Sequence, residues 1–340
     1  MDTLIHESLR GRNSASRPGN TPACFLWHLQ SSRTQSRRLA LGLGCLALLA
    51  FSQPAKSGPL LYAVDNATAT IYTYDMAGNR SVFTESAESA QLGLGLDAHG
   101  NVYATALIAS KVYKFAPDGT SSIFANLVSP YGLAIDTIGN VFVSSNGTTV
   151  VKYSPDGVGS EFAAGLHLGS LAFDGNGDLF VGQPIQNGDI YKITPSGSMS
   201  VFASNEGMNG VYGMAFSPSG DLYAGAYDGV IYKFSSSGQR SIFANRPATS
   251  LISGLAFGSD GTLYEAEFSN VQTTCCNQVI NAFAPNGDSR VFASGLARPA
   301  ALAFQADTSA APEPNTGLLL AGIMVVSGVC IKLRRVRRAE

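Results

Sequence analysis

Residues Gly132–Phe142 read Gly-Leu-Ala-Ile-Asp-Thr-Ile-Gly-Asn-Val-Phe, and this block decides the fold because it recurs along the chain. The further copies begin at Gly93, Ser170, Gly213, Gly254 and, in truncated form, Ala301. Successive copies start 39, 38, 43, 41 and 47 residues apart. A period of about 40 residues indicates a repeat architecture, in which each copy belongs to one supersecondary unit.

Two more blocks recur with the same period. Val112–Gly119 reads Val-Tyr-Lys-Phe-Ala-Pro-Asp-Gly, and Ser122–Ala125 reads Ser-Ile-Phe-Ala. Each unit therefore holds four short apolar segments, separated by Gly, Asn, Asp and Pro residues that favour tight turns. Four antiparallel strands in every 40 to 45 residues or so are typical of a propeller blade. The sequence predicts an all-β fold, a six-bladed β-propeller of four-stranded antiparallel blades, over residues 57–307.

The order of the strand types also predicts how the ring closes. The last copy of the first strand type, Ala301–Phe304, stands at the C-terminal end of the repeats. The first copy of the second strand type, Leu60–Ala63, has no copy of the first type before it. We therefore expect the sixth blade to combine one C-terminal strand with three strands from residues 60–84.

The charge is distributed unevenly. The net charge of the chain is −2, but residues 57–331 carry 10 Lys or Arg against 21 Asp or Glu, a balance of −11. Protein affinity for nucleic acid depends mainly on basic contacts to phosphate. The acidic body therefore argues against DNA or RNA as a partner.

The N-terminal segment has the pattern of an export signal. The apolar run Leu39–Phe51 follows Arg37 and Arg38 and precedes small and turn-forming residues. Thirteen residues are too few for an ordinary spanning helix but suit the apolar region of a secretory signal. We predict that residues 1–56 form an export presequence, with the apolar region at 39–51.

The C-terminal segment combines three features. Residues 308–316 form a linker containing Pro312, Glu313 and Pro314, residues 317–333 form a predicted transmembrane helix, and residues 334–340 form a basic cytoplasmic tail with Arg334 and Arg335. The basic cluster is expected on the cytoplasmic side. This order resembles the PEP C-terminal sorting signal of exopolysaccharide-producing Gram-negative bacteria. The resemblance implies an exosortase-type enzyme as partner, transient anchoring in the inner membrane, and delivery to the cell surface or extracellular matrix. The alternative is a plain membrane anchor.

The repeat pattern Gly-Leu-Ala-Phe/Ile-Asp followed by Gly-Asn/Asp-Leu/Val-Tyr/Phe resembles NHL-type repeats and the regucalcin-like and gluconolactonase-like six-bladed propellers. That resemblance implies a divalent metal at the mouth of the central channel, held by carboxylate and Asn oxygens, with Asn just before the repeat glycine. The corresponding residues of this chain are Leu92, Tyr131, Gly169, Tyr212, Ser253 and Ala300. These are poor ligands for a hard cation. The sequence therefore predicts no cofactor at these positions.

Variable loops on one face of the propeller form the candidate ligand face, since binding residues are often found on loops of a rigid scaffold. Tyr131 and Tyr212 lie there beside the channel, where they either stack on sugar rings or pack between blades. His167 lies in a loop of the same face. Asp65 and Glu267 end the second strands of adjacent blades and are expected to face each other, as a weak site for a divalent cation or as ordinary hydrogen-bonded carboxylates.

Two functions fit these observations. The favoured one is an exported, non-enzymatic propeller that binds a polysaccharide or protein ligand on its variable loop face. The alternative is a divergent gluconolactonase-like hydrolase or lyase that uses the same face. No catalytic residue is assigned, because the sequence contains no nucleophile elbow, P-loop or dinucleotide fingerprint. The neighbours Cys275 and Cys276 allow a vicinal disulfide, and they have no zinc-site spacing.

Overall fold

A computed structural model describes residues 58–85, 91–165, 167, 169–204, 207–247, 250–269 and 278–305. All the regular structure in these ranges is β-strand. No helix within them has the length and apolar character needed to span a membrane. The predicted presequence, the sorting motif at Pro312–Pro314 with Arg334 and Arg335, the C-terminal helix and the pair Cys275 and Cys276 all lie outside the described residues.

The first three strands are β1 (Leu60–Asp65), β2 (Thr70–Tyr74) and β3 (Arg80–Glu85). The strands that follow them form five groups of four along the chain. Blade 1 comprises β4 (Gln91–Leu96), β5 (Val102–Ala106), β6 (Lys111–Phe115) and β7 (Ser121–Asn126). Blade 2 comprises β8 (Pro130–Ile135), β9 (Val141–Ser145), β10 (Thr149–Tyr153) and β11 (Gly159–Ala164).

The later blades repeat this arrangement. Blade 3 comprises β12 (Leu171–Phe173), β13 (Leu179–Gly182), β14 (Ile190–Ile193) and β15 (Met199–Ala203). Blade 4 comprises β16 (Val211–Phe216), β17 (Leu222–Ala226), β18 (Val230–Phe234) and β19 (Arg240–Asn245). Blade 5 comprises β20 (Ser250–Phe257), β21 (Leu263–Ser269), β22 (Gln278–Phe283) and β23 (Ser289–Leu296). The last strand is β24 (Pro299–Gln305).

The described strands form six four-stranded antiparallel sheets, and the sixth has the order β24-β1-β2-β3. In this composite sheet, blade 6, Leu302 lies opposite Ala63 and Ala303 lies opposite Tyr62. The first strand of each blade contacts that of the next, from β4 through β8, β12, β16 and β20 to β24 and back to β4. These contacts confirm the predicted number of blades and the predicted closure by the two ends of the repeat region.

The core lies between neighbouring blades. Every residue of β5, β9 and β17 is buried. Each blade is covered on both faces, so the side chains on neither side of these strands reach solvent. Aromatic rings join the layers edge to face, as where Phe142 meets Phe162 and Phe173 at centroid distances of 5.0 Å. Such contacts add to the burial of apolar area and fix the spacing of the blades.

The turns that follow the first strands are structural. Asp136 Oδ1 accepts hydrogen bonds from the backbone N of Ile138 at 3.1 Å and of Asn140 at 2.8 Å. Gly139 has a φ of 89°, a conformation that glycine adopts without strain. Asx turns of this kind explain why Asp and Gly recur at fixed spacing.

The repeat glycines let the first strands approach one another around the channel. A Cβ built on Gly254 would lie 2.7 Å from the carbonyl oxygen of Ala300 in the neighbouring blade. A side chain at this position would therefore push the inner strands apart. The channel is consequently narrow and is lined mainly by backbone and by the residues on either side of each glycine.

Candidate functional site

A cavity of about 70 Å³ occupies the central channel between the positions just before and just after the repeat glycines. The side chains that follow the repeat position line its base and are all buried: Leu94, Leu133, Leu171, Met214, Leu255 and Leu302. Every blade contributes one of these apolar groups. We call these aliphatic side chains the base of the pocket and the side chains ahead of the glycines its rim.

Tyr131 and Tyr212 both lie on this rim. In β8 and in β16 the register with the next strand shifts at the tyrosine position, and such bulges redirect a side chain. Burial raises the pKa of Tyr131, and the nearby phenol of Tyr212 raises it further. Both phenols therefore stay neutral at physiological pH and can donate or accept hydrogen bonds.

Tyr212 is anchored by its own surroundings. Its hydroxyl donates to the carbonyl oxygen of Pro184 at 3.4 Å, and its ring centroid lies 5.9 Å from that of Tyr227, which is partly exposed. The tyrosine thus contacts a neighbouring blade and also faces the pocket. Packing between blades, one of the two alternatives that the sequence left open, is therefore observed for this residue, and stacking on sugar rings stays a prediction.

Two serines place polar atoms in the pocket wall. Ser253 Oγ donates to the carbonyl oxygen of Pro299 at 3.0 Å, so its hydroxyl hydrogen is already used. Ser170 Oγ is buried and has no hydrogen-bond partner among the described residues. A buried hydroxyl without a partner is unfavourable. Ser170 is therefore a point at which a ligand or a water molecule would gain a hydrogen bond.

Asp65 and Glu267 do not form the facing pair expected from the sequence. Asp65 is buried, and its carboxylate accepts hydrogen bonds from the backbone N of Ala297 at 2.8 Å and of Arg298 at 2.9 Å. It thus holds the segment that leads into β24. Side chains at equivalent positions point the same way around the ring, so the carboxyl of Asp65 faces blade 5 whereas that of Glu267 faces blade 4.

Glu267 belongs to a different polar cluster. Its Oε2 accepts hydrogen bonds from Arg246 Nη2 at 2.6 Å, Arg246 Nε at 3.1 Å and Asn281 Nδ2 at 3.1 Å, and its Oε1 accepts one from Ser250 Oγ. Burial alone would raise the pKa of Glu267, but the hydrogen bonds from Ser250 and Arg246 outweigh it and lower the pKa. Glu267 is therefore ionised and already paired with a cation.

Glu265 lies deeper in the same seam between blades 4 and 5. Its side chain has no exposed area; Oε2 accepts a hydrogen bond from Asn281 Nδ2 at 2.9 Å and lies 3.7 Å from Arg246 Nε. Oε1 is buried and has no hydrogen-bond partner among the described residues. Burial raises the pKa of Glu265 to about 7, despite the opposing effect of Arg246. We call Arg246, Ser250, Glu265, Glu267 and Asn281 the seam cluster.

Of the residues in the seam cluster, the sequence pattern pointed only to Glu267. An alignment of the repeats does mark Glu265 as unusual. Glu265 pairs with Leu255 in the sheet, and at the equivalent position the other blades have small or β-branched apolar residues. Those residues are Ala63, Ala104, Val143, Val181 and Ala224. Asn281 likewise stands where the other blades have Tyr or Val. A departure from local consistency is expected at functional or strained sites.

The metal site of gluconolactonase-like propellers does not fit this chain. Around the pocket rim, the residues ahead of the repeat position offer no carboxylate or amide oxygen. Within the described ranges, no group of three or more His, Cys, Asp or Glu side chains is arranged to hold a metal ion. The carboxylates of Asp65 and Glu267 are each hydrogen-bonded to other groups of the protein.

The two histidines of the propeller lie apart. His167 is exposed on the loop face, whereas His99 lies in a turn of the opposite face, where its backbone N donates to Asp97 Oδ1 at 2.9 Å. His167 is therefore the histidine that remains available to a ligand of the loop face. The structure does not bring it onto the rim formed by Tyr131 and Tyr212.

No protein-family model matches the sequence, and no curated protein matches it. Solved structures do match the fold. A virginiamycin B lyase from Staphylococcus aureus, described as catalytically inactive and solved with quinupristin, has 17% identity, covers 70% of this chain and 85% of its own, and gives a TM-score of 0.53. A streptogramin B lyase has 16% identity, coverage of 74% and 88%, and a TM-score of 0.55.

A gluconolactonase from Xanthomonas campestris is similar to the same degree, with 16% identity, coverage of 73% of this chain and 89% of its own, and a TM-score of 0.54. At such identities the likeness concerns the fold. The described part of the chain forms a six-bladed β-propeller whose structural neighbours include gluconolactonases and streptogramin B lyases.

Proposed function

We propose that this protein is an exported, non-enzymatic propeller that binds polysaccharide at the mouth of its central channel. The observation that carries the proposal is the presence of Tyr131 and Tyr212 together at the rim of the pocket. Sugars present apolar faces that stack on aromatic rings, and phenol hydroxyls complete the hydrogen bonds of their polar edges. The free hydroxyl of Ser170 offers a further contact in the wall.

The terminal segments support a location outside the cytoplasm. We infer that residues 1–56 direct export and that an exosortase-type enzyme recognises Pro312–Pro314 with the basic tail. The protein would be anchored transiently in the inner membrane and then delivered to the cell surface or matrix of a Gram-negative bacterium, where exopolysaccharide is present. Mass spectrometry of the native protein tests this proposal, since cleavage shortly after the apolar region 39–51 and loss of the C-terminal tail would support it, and two intact ends would oppose it.

Binding is tested with the full chain and a panel of purified polysaccharides by calorimetry. We expect Tyr131→Ala and Tyr212→Ala each to weaken binding by about threefold to tenfold, the range of an aromatic contact of about 0.5–1.5 kcal/mol. Ile138→Ala serves as control because Ile138 is 76% exposed on the opposite, turn face. Equal affinity of all variants would refute the proposed site, and binding of a protein by the same tyrosines would replace polysaccharide with a protein ligand.

A lyase or hydrolase activity on the same face is the second candidate. The fold of the neighbouring lyases and gluconolactonase favours it, and one of those lyases is described as catalytically inactive when a histidine is changed to alanine. His167 is the exposed histidine of the loop face in this chain. Turnover of a lactone or of a streptogramin B that His167→Ala abolishes would establish the enzyme, and unchanged turnover in that variant would exclude this histidine.

A further inference from the structure

Arg298 is an exposed cation on the loop face, close to the mouth of the channel. It lies in the segment between β23 and β24, two residues ahead of Ala300. Ala300 holds in β24 the position that Tyr131 holds in β8. The segment that carries Arg298 therefore approaches the ring from the face on which the pocket rim lies.

The backbone of Arg298 is fixed on both sides. Its N–H donates to Asp65 Oδ1 at 2.9 Å, and its carbonyl oxygen accepts a hydrogen bond from the backbone N of Asn66 at 2.8 Å. The N–H of Ala297 donates to the other oxygen of Asp65 at 2.8 Å. The buried carboxylate of Asp65 thus positions Arg298. A group that is held in place before a ligand arrives loses less conformational freedom on binding.

The guanidinium of Arg298 is stacked on an aromatic ring but is not neutralised. Its Cζ lies 4.7 Å from the centroid of the Phe268 ring, within the range of a cation–π contact. In the part of the chain that the structure describes, this guanidinium has no carboxylate partner. Arg246, on the same face, is instead bound by Glu267 at 2.6 Å. A stacked guanidinium keeps the N–H donors at its edge, so those of Arg298 remain available to a ligand.

The positive charge of Arg298 acts on the pocket rim. Burial raises the pKa of Tyr131 and the phenol of Tyr212 raises it further, whereas the charge of Arg298 opposes the rise. Among the described residues, those that line the pocket include no charged side chain. An anionic group at the mouth would therefore meet a cation and no lining carboxylate, although the propeller as a whole is acidic.

We propose that Arg298 selects acidic polysaccharides, whose uronate carboxylates bind its guanidinium while neighbouring sugar rings contact Tyr131 and Tyr212. The inference rests on the proposed binding of polysaccharide at the channel mouth and adds the class of sugar. The planar fork of N–H donors in arginine matches a carboxylate through two parallel hydrogen bonds. Phenols and aliphatic side chains bind neutral and acidic sugars alike, so the preference for an acidic sugar would come from Arg298.

Calorimetry of the full chain with polygalacturonate, alginate and hyaluronate, each compared with its methyl ester, tests this selectivity. The ester keeps the sugar and removes the negative charge. We expect at least one acidic polymer to bind about tenfold more tightly than its ester, as for a charge-assisted hydrogen bond that is partly exposed to solvent. Raising the ionic strength should narrow the difference, because salt screens the ion pair.

Arg298→Gln should weaken binding of that acidic polymer about tenfold and leave the affinity for its ester unchanged, which also shows that the variant is folded. Arg298→Lys keeps the charge but loses the fork, so its affinity should lie between the two. Arg290→Gln is the matched control and should bind like wild type. Arg290 is also exposed and lies over a phenylalanine ring, that of Phe292 at 5.5 Å, but it stands beside the turn that joins β22 and β23, on the opposite face.

Equal binding of the acidic and ester forms, or unchanged affinity of Arg298→Gln for the acidic polymer, would overturn the role of Arg298. The proposed function would still stand in that case if Tyr131→Ala weakened the binding of both forms. Absence of binding to every polysaccharide tried, neutral or acidic, would instead refute the proposed function and this inference with it.

Discussion

The Glu265→Gln substitution tests whether one buried carboxyl makes the stability of the propeller depend on pH. The pKa of Glu265 is raised from the ordinary 4.5 to about 7 in the folded protein. Between these values the folded state binds a proton that the unfolded state has released. The free energy of unfolding must therefore fall as the pH rises through this window, and it levels off above about pH 7.

The magnitude follows from the width of the window. Each pH unit between the two pKa values corresponds to about 1.4 kcal/mol, so the full loss on going from about pH 4.5 to above pH 7 is about 3 kcal/mol. The side chain of Glu265 has no exposed area, so solvent does not screen the effect. Glutamine cannot titrate, and it retains an oxygen that can accept the hydrogen bond of Asn281.

Urea unfolding followed by circular dichroism at several pH values measures the difference. Relative to wild type, Glu265→Gln should gain about 3 kcal/mol of unfolding free energy between about pH 5 and about pH 8. Groups that titrate in both proteins cancel in this comparison. Glu161→Gln, at an exposed site on the outer strand of blade 2, is the matched control and should show no such gain. A wild-type-to-variant difference that stays constant over this range, or that changes with the opposite sign, would refute the reasoning.

Three further predictions concern closure and packing, and urea unfolding checks each of them. Leu302→Ala removes a buried side chain from the closing strand and should lower the free energy of unfolding by about 2–5 kcal/mol; a loss below about 1 kcal/mol would contradict the role of that strand. Gly254→Ala places a Cβ 2.7 Å from the Ala300 oxygen and should destabilise by about 1–3 kcal/mol, whereas Gly175→Ala, with open space around it, should change stability by less than about 0.5 kcal/mol. Asp65→Ala removes the acceptor of two backbone N–H groups ahead of the closing strand and should lower stability by about 1–3 kcal/mol, while an unchanged midpoint would show that those groups find other partners.

The sequence by itself determined the number of blades, the strands of each blade and the closure of the ring. Those features are repeated locally: an Asx turn needs Asp and Gly at fixed positions, and a covered strand needs apolar residues in both phases. Ala301–Phe304 is an inner strand with no outer strands after it, and Leu60–Ala63 is a second strand with no inner strand before it. The pairing of these segments followed from the count alone.

Only the tertiary structure decided which side chains meet across a seam. Asp65 and Glu267 occupy equivalent positions in adjacent blades, and the sequence suggested that they face each other. In the closed ring both side chains point in the same direction around the channel axis. Asp65 therefore binds the backbone ahead of β24, whereas Glu267 pairs with Arg246. Glu265 shows the same limit, because its burial depends on what the neighbouring blade and its connection place beside it. Local periodicity determines strands and turns, whereas the partners of a charged group are set by packing between segments far apart in the chain.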